Sequence, residues 1–135
     1  MKIAECMTSD VEVVRPDASI QDAARMMLDA DAGSMPVCDG KRLLGMVTDR
    51  DIAIRAVAEG RGCDTLVKEI MTDDILYCYE DQDIAEVARQ MSDQQVRRLP
   101  VVSRDKDLVG IVSLGDISQS GDAEAAEIAL EGVSS

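Results

Sequence analysis

Slid along itself, the 135-residue sequence falls into register at an offset of 64. Glu5-Cys6-Met7-Thr8 lies over Glu69-Ile70-Met71-Thr72, Asp17 over Asp81, Ile20 over Ile84, Ala24-Arg25 over Ala88-Arg89, Met27 over Met91 and Pro36-Val37 over Pro100-Val101. One extra residue in the second copy moves the offset to 65. Gly45-Met46-Val47-Thr48 then meets Gly110-Ile111-Val112-Ser113, and Asp51-Ile52 meets Asp116-Ile117. Repetition at this period marks a supersecondary unit used twice, which constrains the fold more tightly than local propensity does. A unit of about 60 residues buries too little surface to be stable alone. The two copies are therefore expected to fold together, sheet to sheet, about a pseudo-two-fold axis that leaves a cleft on either side.

Each copy reads as strand, helix, strand, strand, helix, an α/β (α+β) pattern. Val11 to Arg15 and Ile75 to Tyr79 are β-branched or aromatic runs that predict strands. Helices with a single apolar face follow, through Ile20, Ala23, Ala24, Met27 and Leu28 and through Ile84, Val87, Ala88 and Met91. Ser19 and Asp83 stand at their N-cap positions. Met35 to Cys38 and Leu99 to Val102 are short buried strands. Asp39-Gly40-Lys41 is a hairpin turn into Leu43 to Val47, and the second hairpin turns through Ser103 to Asp107, which absorbs the inserted residue. A last helix begins near Thr48 in one copy and Ser113 in the other, and Gly60-Arg61-Gly62 ends the first of them. The resulting division is a first repeat over 1–60, a linker over 61–66, a second repeat over 67–120 and an acidic tail over 121–135. Ala126, Ala129, Leu130 and Val133 predict a weakly striped helix in that tail, packed on the module or on a second chain.

Charge narrows the partners. Fourteen basic residues against 27 acidic ones give −13, and the last basic residue is Lys106. Nucleic acid and anionic membrane surfaces are repelled by such a chain. With no Phe and no Trp it also has little to stack on unpaired bases or to insert into lipid. The opening Met1-Lys2-Ile3-Ala4-Glu5-Cys6 has no apolar core of a secretory signal, which predicts a cytoplasmic location. Small ligands and protein partners remain.

Chemistry concentrates where the repeat is most regular. Gly45-Met46-Val47-Thr48-Asp49-Arg50-Asp51 and Gly110-Ile111-Val112-Ser113-Leu114-Gly115-Asp116 each set a hydroxyl residue three places before an aspartate. That spacing is a variant of the capping box, so both pairs are expected to cap their helices with or without a ligand. The same arrangement suits a nucleotide. A helix N-terminus offers N–H groups to phosphate, and a carboxylate one turn in accepts hydrogen bonds from both hydroxyls of a ribose.

Met7-Thr8 with Met71-Thr72, Met35-Pro36-Val37 with Arg97-Arg98-Leu99-Pro100-Val101-Val102, and the two glycine-to-aspartate segments occur in order twice. Over roughly residues 1 to 120 the chain resembles a tandem pair of cystathionine-β-synthase (CBS) domains, the arrangement often called a Bateman module. The resemblance implies two β-α-β-β-α repeats, no catalysis, and binding of AMP, ADP, ATP or, less often, S-adenosylmethionine in the clefts between repeats. It also implies a homodimer and a regulated protein partner. Carried over residue by residue, it puts Ser113 and Asp116 on phosphate and ribose, Ile111 against adenine, and Arg97 and Arg98 near the phosphates. Thr8 is expected to reach this cleft from the other copy. The sister cleft uses Met46, Thr48, Arg50 and Asp51, with Ser34 in the position of Arg98 and with Thr72. On composition alone Arg97 and Arg98 fit a solvated strand end equally well, and the repeat favours function. The sister cleft has Gly33-Ser34 for the two arginines, the acids Asp73 and Asp74 after Thr72, and Asp49 beside Thr48. An anionic nucleotide is therefore expected to prefer the Ser113–Asp116 cleft.

Other chemistries fit poorly. With no histidine the chain has neither the usual general base nor a histidine ligand for a metal. Cys6, Cys38, Cys63 and Cys78 form no CxxC pair. Three of them align with Ile70, Val102 and Val14 and are expected in cores, whereas Cys63 follows the glycine-rich break and is expected to be accessible. Clusters such as Asp73-Asp74 fit a solvated loop better than a metal site. Most of the eight methionines fall on interior positions, which points to core packing. The alternative to a nucleotide sensor is a ligand-free module that dimerises or docks on a partner, using Ile52, Ala53, Ala56 and Val57.

Overall fold

The stripe beginning at Ile20 folds as helix α1 (Ile20–Ala30), capped by Ser19, whose hydroxyl accepts the Asp22 N–H at 3.1 Å. Such a cap is worth about 1 kcal/mol. Ile20, Ala23 and Met27 turn into a core with Val14, Val37 and Val47. Strands β1 (Ser34–Asp39) and β2 (Arg42–Thr48) form an antiparallel hairpin across Gly40, whose φ of +62° the turn requires. A short α-helical turn, α2 (Asp49–Asp51), continues as a π-helical segment (Ile52–Val57), in which the Ala58 N–H reaches back to the Ala53 carbonyl at 2.9 Å. Gly60, at φ +76°, ends it.

The second copy builds the same parts. They are β3 (Cys78–Tyr79), α3 (Ile84–Gln94) capped by Asp83, the antiparallel strands β4 (Arg98–Val102) and β5 (Leu108–Ser113), and α4 (Leu114–Ser118). Even the irregularities repeat, since each hairpin carries a bulge, at Val37/Cys38 and at Val101/Val102. A last helix, α5 (Ala123–Gly132), follows.

This computed structural model describes residues 1–132 and divides into two compact units, Glu12–Ile75 and Met1–Val11 with the chain from Leu76 onward. Each unit therefore takes its opening segment from the other copy of the repeat. The 3-10 turn Ile3–Glu5 docks where the Ile3 N–H donates to the Gln82 carbonyl at 2.9 Å. Its twin Val67–Glu69 docks where the Val67 N–H donates to the Ala18 carbonyl at 2.8 Å. Ile84 N–H to Met1 O and Ile20 N–H to Thr65 O are a further matched pair. Ile3 and Val67 are fully buried in their respective cores. The mixed α/β class and the twofold use of one motif are as the sequence predicts.

Three local expectations are corrected. Ala24 and Leu28, expected on the apolar face of α1, are exposed, because the core reaches only the narrower stripe of Ile20, Ala23 and Met27. The runs Val11 to Arg15 and Ile75 to Tyr79 each contain the point where the chain leaves one unit for the other, and only their later parts pair. Val14 makes a single bridge to Val37, and β3 is limited to two residues beside β4. The tail is helical, but its covered face is Ala125 and Ala129. Ala126 is half-buried, Leu130 is 77% exposed, and Val133 lies outside the described residues. The face is set by contact with α3, where Arg89 pairs with Glu124 and the Gln95 amide donates to the Gly132 carbonyl. No helix among the described residues is long and apolar enough to cross a membrane.

Candidate functional site

Strand β5 delivers a hydroxyl and then a helix start. Ser113 is the N-cap of α4 and has extended backbone angles. Its hydroxyl accepts the Asp116 N–H at 3.1 Å while the Asp116 Oδ2 accepts the Ser113 N–H at 3.0 Å. The reciprocal bonds lock the carboxylate at the helix start. Asp116 keeps partial exposure, and no basic group among the described residues lies within ion-pair distance of it.

Pairing brings the other predicted residues to this end of the unit. Arg98 is the cross-strand partner of Ser113, and the Arg97 carbonyl accepts the Leu114 N–H at 3.0 Å. Thr8 bridges Ile111 through two backbone hydrogen bonds of 2.8 Å each. A side chain at Gly110 would prevent this approach, because a Cβ there would lie 2.7 Å from both the Thr8 carbonyl and the Met7 sulfur. Thr8, Arg97, Arg98, Ile111, Ser113 and Asp116 thus sit in one compact unit, although Thr8 belongs to the first copy of the repeat.

The sister set assembles by the same device. The Thr48 hydroxyl accepts the Asp51 N–H at 2.9 Å, and Asp51 Oδ2 accepts the Thr48 N–H at 3.0 Å. Ser34 pairs with Thr48 across the hairpin, and Met46 exchanges backbone bonds of 2.9 and 2.8 Å with Thr72. A Cβ on Gly45 would collide with the Thr72 carbonyl. Arg50 is exposed, and its backbone N–H is held by the Asp49 carboxylate at 2.8 Å.

Arg55, which the repeated motifs do not point to, joins this set. It stands 3.7 Å from Asp51 Oδ1 and donates to the Met71 carbonyl at 3.3 Å. Its i,i+4 spacing from Asp51 on a helix was the available signal. Asp51 itself is only 9% exposed. The corresponding residue of the second copy is Ser120.

The thiols add one neighbour. Burial pushes the Cys6 thiol up, with the Asp116 and Glu5 carboxylates adding to it, which puts Cys6 within electrostatic reach of Asp116. Burial raises Cys38 to about 11 and, with Cys6 adding to it, Cys78 to about 12. Cys63 is exposed. Among the described residues no group of three or more potential ligands converges as a metal site.

With two matched hydroxyl-carboxylate boxes in place, the likeness to known proteins is specific. The CBS domain model matches residues 3–57 and again 67–120. The chain belongs to the CBS-domain family. The CBS domain-containing protein YhcV of Bacillus subtilis is 39% identical over 116 residues, which cover 86% of this chain and 82% of that one. Three solved structures share the CBS pair fold. Hypoxic Response Protein I with two coordinated zinc ions aligns at a TM-score of 0.77 and 36% identity, over 88% of this chain and 98% of that one. CBSX2 in complex with AMP aligns at 0.76 and 26%, over 88% and 94%. The CBS domain pair of MJ0100, in complex with methylthioadenosine and S-adenosylmethionine, aligns at 0.72 and 28%, over 89% and 94%. Two of these three CBS pairs hold adenosine-containing ligands.

Proposed function

We propose that this CBS pair is a non-catalytic regulatory module that binds an adenine nucleotide, AMP, ADP or ATP, at the Ser113–Asp116 site. S-adenosylmethionine is a weaker candidate. The observation that carries the reading is the carboxylate of Asp116, locked by Ser113 and with no ion-pair partner among the described residues, at a helix start that Arg98 adjoins through the strand register. In this reading the carboxylate accepts the ribose hydroxyls, Ser113 and the α4 N-terminus take phosphate, Arg97 and Arg98 supply positive potential, and Ile111 with Thr8 flanks the base. The Thr48–Asp51 site, with Ser34, Met46, Arg50 and Thr72, is the weaker of the two. Binding alters the stability of the module and, through it, a regulated protein partner in the cytoplasm. The acidic surface disfavours nucleic acid and membrane as partners.

A melting scan tests this. Nucleotide at about 100 times its dissociation constant stabilises the fold by about 2.7 kcal/mol, visible as a rise in Tm. No rise with any of AMP, ADP, ATP or S-adenosylmethionine refutes it.

A second reading rests on a different observation. Ile54 and Val57 project from the π-helical segment with 51% and 66% exposure. They favour homodimerisation through that segment, with docking rather than nucleotide binding as the output. A monomeric mass by light scattering at micromolar concentration refutes this part, and a Val57→Asp variant that remains dimeric relocates the interface.

A further inference from the structure

The outer sheet edge is finished differently in the two copies of the repeat. In the second copy two glutamines close it. Gln82 accepts the Tyr79 N–H at 2.8 Å and donates to Glu86 at 2.6 Å, and Gln90 of α3 donates to the Tyr77 carbonyl at 3.0 Å. The two carboxamides take the place of a neighbouring strand and blunt the edge. At the offset of 64 the first copy has Ala18 for Gln82 and Met26 for Gln90, and neither side chain can do this. Val14 donates to the Pro36 carbonyl at 2.9 Å and accepts the Cys38 N–H at 3.0 Å, so the Val13 carbonyl and the Arg15 N–H face outward. Neither of these two groups has a hydrogen-bond partner among the described residues.

A cavity of about 490 Å³ opens beside them, inside the unit Glu12–Ile75. Small-molecule sites span about 300–1,000 Å³, so the volume suits a small ligand. Val14, Ala18 and Met26 form an apolar wall. Asp22 and Arg25 also line the cavity, and neither has an ion-pair partner among the described residues. Asp22 and Met26 occupy the flank of α1 opposite Ala24 and Leu28. No residue of either hydroxyl-carboxylate box lines this space.

We propose that the open edge binds a short free peptide, a tripeptide with charged termini, as an antiparallel strand beside Val13–Arg15. In that register the carbonyl of its first residue accepts the Arg15 N–H, and the N–H of its third donates to the Val13 carbonyl. The middle residue lies opposite Val14. Because Val14 is buried in the core with Ile20 and Ala23 of α1, and paired residues turn to the same face, the middle side chain points to the Ala18 and Met26 wall and is aliphatic. The direction also places the charges. The ammonium lies at the Arg15 end, where Asp22 corresponds to the Glu86 that meets Gln82, and the carboxylate lies at the Val13 end, where Arg25 adjoins Met26. Both unpaired side chains are then answered by charge-assisted contacts. A segment inside a longer chain lacks these termini, and Pro16 stops the edge from pairing further.

The probe is the tripeptide Ala-Leu-Ala, titrated into the isotope-labelled full chain. Saturable shifts of the amide resonances of Val13, Arg15, Ala18 and Arg25 are expected, and the Arg15 N–H exchanges more slowly with solvent once it has an acceptor. The same peptide acetylated at its amino end and amidated at its carboxyl end binds tenfold or more weakly. Arg25→Glu, a surface change, weakens the free peptide to the same degree. Met26→Gln and Ala18→Gln each supply one cap of the second copy and are expected to do likewise, with melting curves establishing that each variant is folded. The proposal is overturned if no saturable shift occurs at about 10 mM peptide, or if the shifts fall on Tyr77 and Tyr79 instead. It is overturned equally if the blocked peptide binds as well as the free one, or if the folded variants bind as well as wild type.

Discussion

The boxes at Thr48–Asp51 and Ser113–Asp116 are the same local structure in different electrostatic settings. Hydroxyl-to-amide and amide-to-carboxylate distances agree within 0.2 Å between them, 2.9 and 3.0 Å in one and 3.1 and 3.0 Å in the other. The surroundings differ. Asp51 is buried and already answered by Arg55, and Asp49 crowds Gly33, where a Cβ would lie 3.0 Å from its carboxylate. Asp116 has no ion-pair partner among the described residues, and its strand end carries arginines where the other has Gly33 and Ser34. Capping geometry is therefore a property of the repeat, whereas availability to a ligand depends on residues that the repeat does not preserve.

The largest expected effect tests the shared architecture. Gly45→Ala and Gly110→Ala each force a methyl against the backbone carbonyl of the segment borrowed from the other copy, Thr72 in one unit and Thr8 in the other. A backbone oxygen cannot swing aside, so each substitution is expected to cost on the order of 1–3 kcal/mol in urea unfolding. Wild-type midpoints for both variants would show that the borrowed segments are not held as described.

Ligand binding separates the two boxes next. Asp116→Ala or Arg98→Ala is expected to weaken AMP or ATP by tenfold or more in titration calorimetry, on the order of 1.4 kcal/mol. Asp51→Ala should matter less. A larger loss from Asp51→Ala reverses the comparison. Arg55→Ala sharpens it with a smaller effect. If Arg55 occupies Asp51 at the expense of a ligand, its removal should change binding at that box by a few-fold and leave the Asp116 box untouched.

Much of this was legible in the sequence because the repeat supplied two readings of every element. The caps Ser19, Asp83, Thr48 and Ser113, both hairpins and the core of α3 follow from spacing alone, whereas on α1 only Ile20, Ala23 and Met27 of the expected stripe are buried and Ala24 and Leu28 are exposed. The exchange of opening segments was legible only in part. The resemblance places Thr8 in the Ser113–Asp116 cleft without naming its bridge to Ile111, and the runs at Val11 and Ile75 read as strands, because β-branched composition does not reveal where a chain changes units. Arg55 escaped because attention to aligned motifs overlooks a residue whose counterpart, Ser120, carries no charge. The face of α5 was misplaced because an alanine-rich helix has little periodicity of its own, so its partner Arg89 and the small residues of α3 decide which side is covered.

The smallest expected effect uses a thiol that only one box possesses. Cys6 is raised by burial first and by the Asp116 carboxylate second, and no cysteine is comparably placed beside Asp51. At pH 8 the exposed Cys63 should react first, while Cys38 and Cys78, with values of about 11 and about 12, remain thiols. Because the folded state holds these protons more tightly than the unfolded chain, whose thiols titrate near 9, stability falls as pH rises from about 9 through the folded values. Removing the charge in Asp116→Asn lowers the Cys6 value and increases its thiolate fraction, so its slow labelling should accelerate. Asp51→Asn should leave all four rates unchanged. Equal acceleration in both variants would mean that Cys6 responds to loosened packing rather than to the carboxylate, and would remove the thiol as a reporter of the Asp116 box.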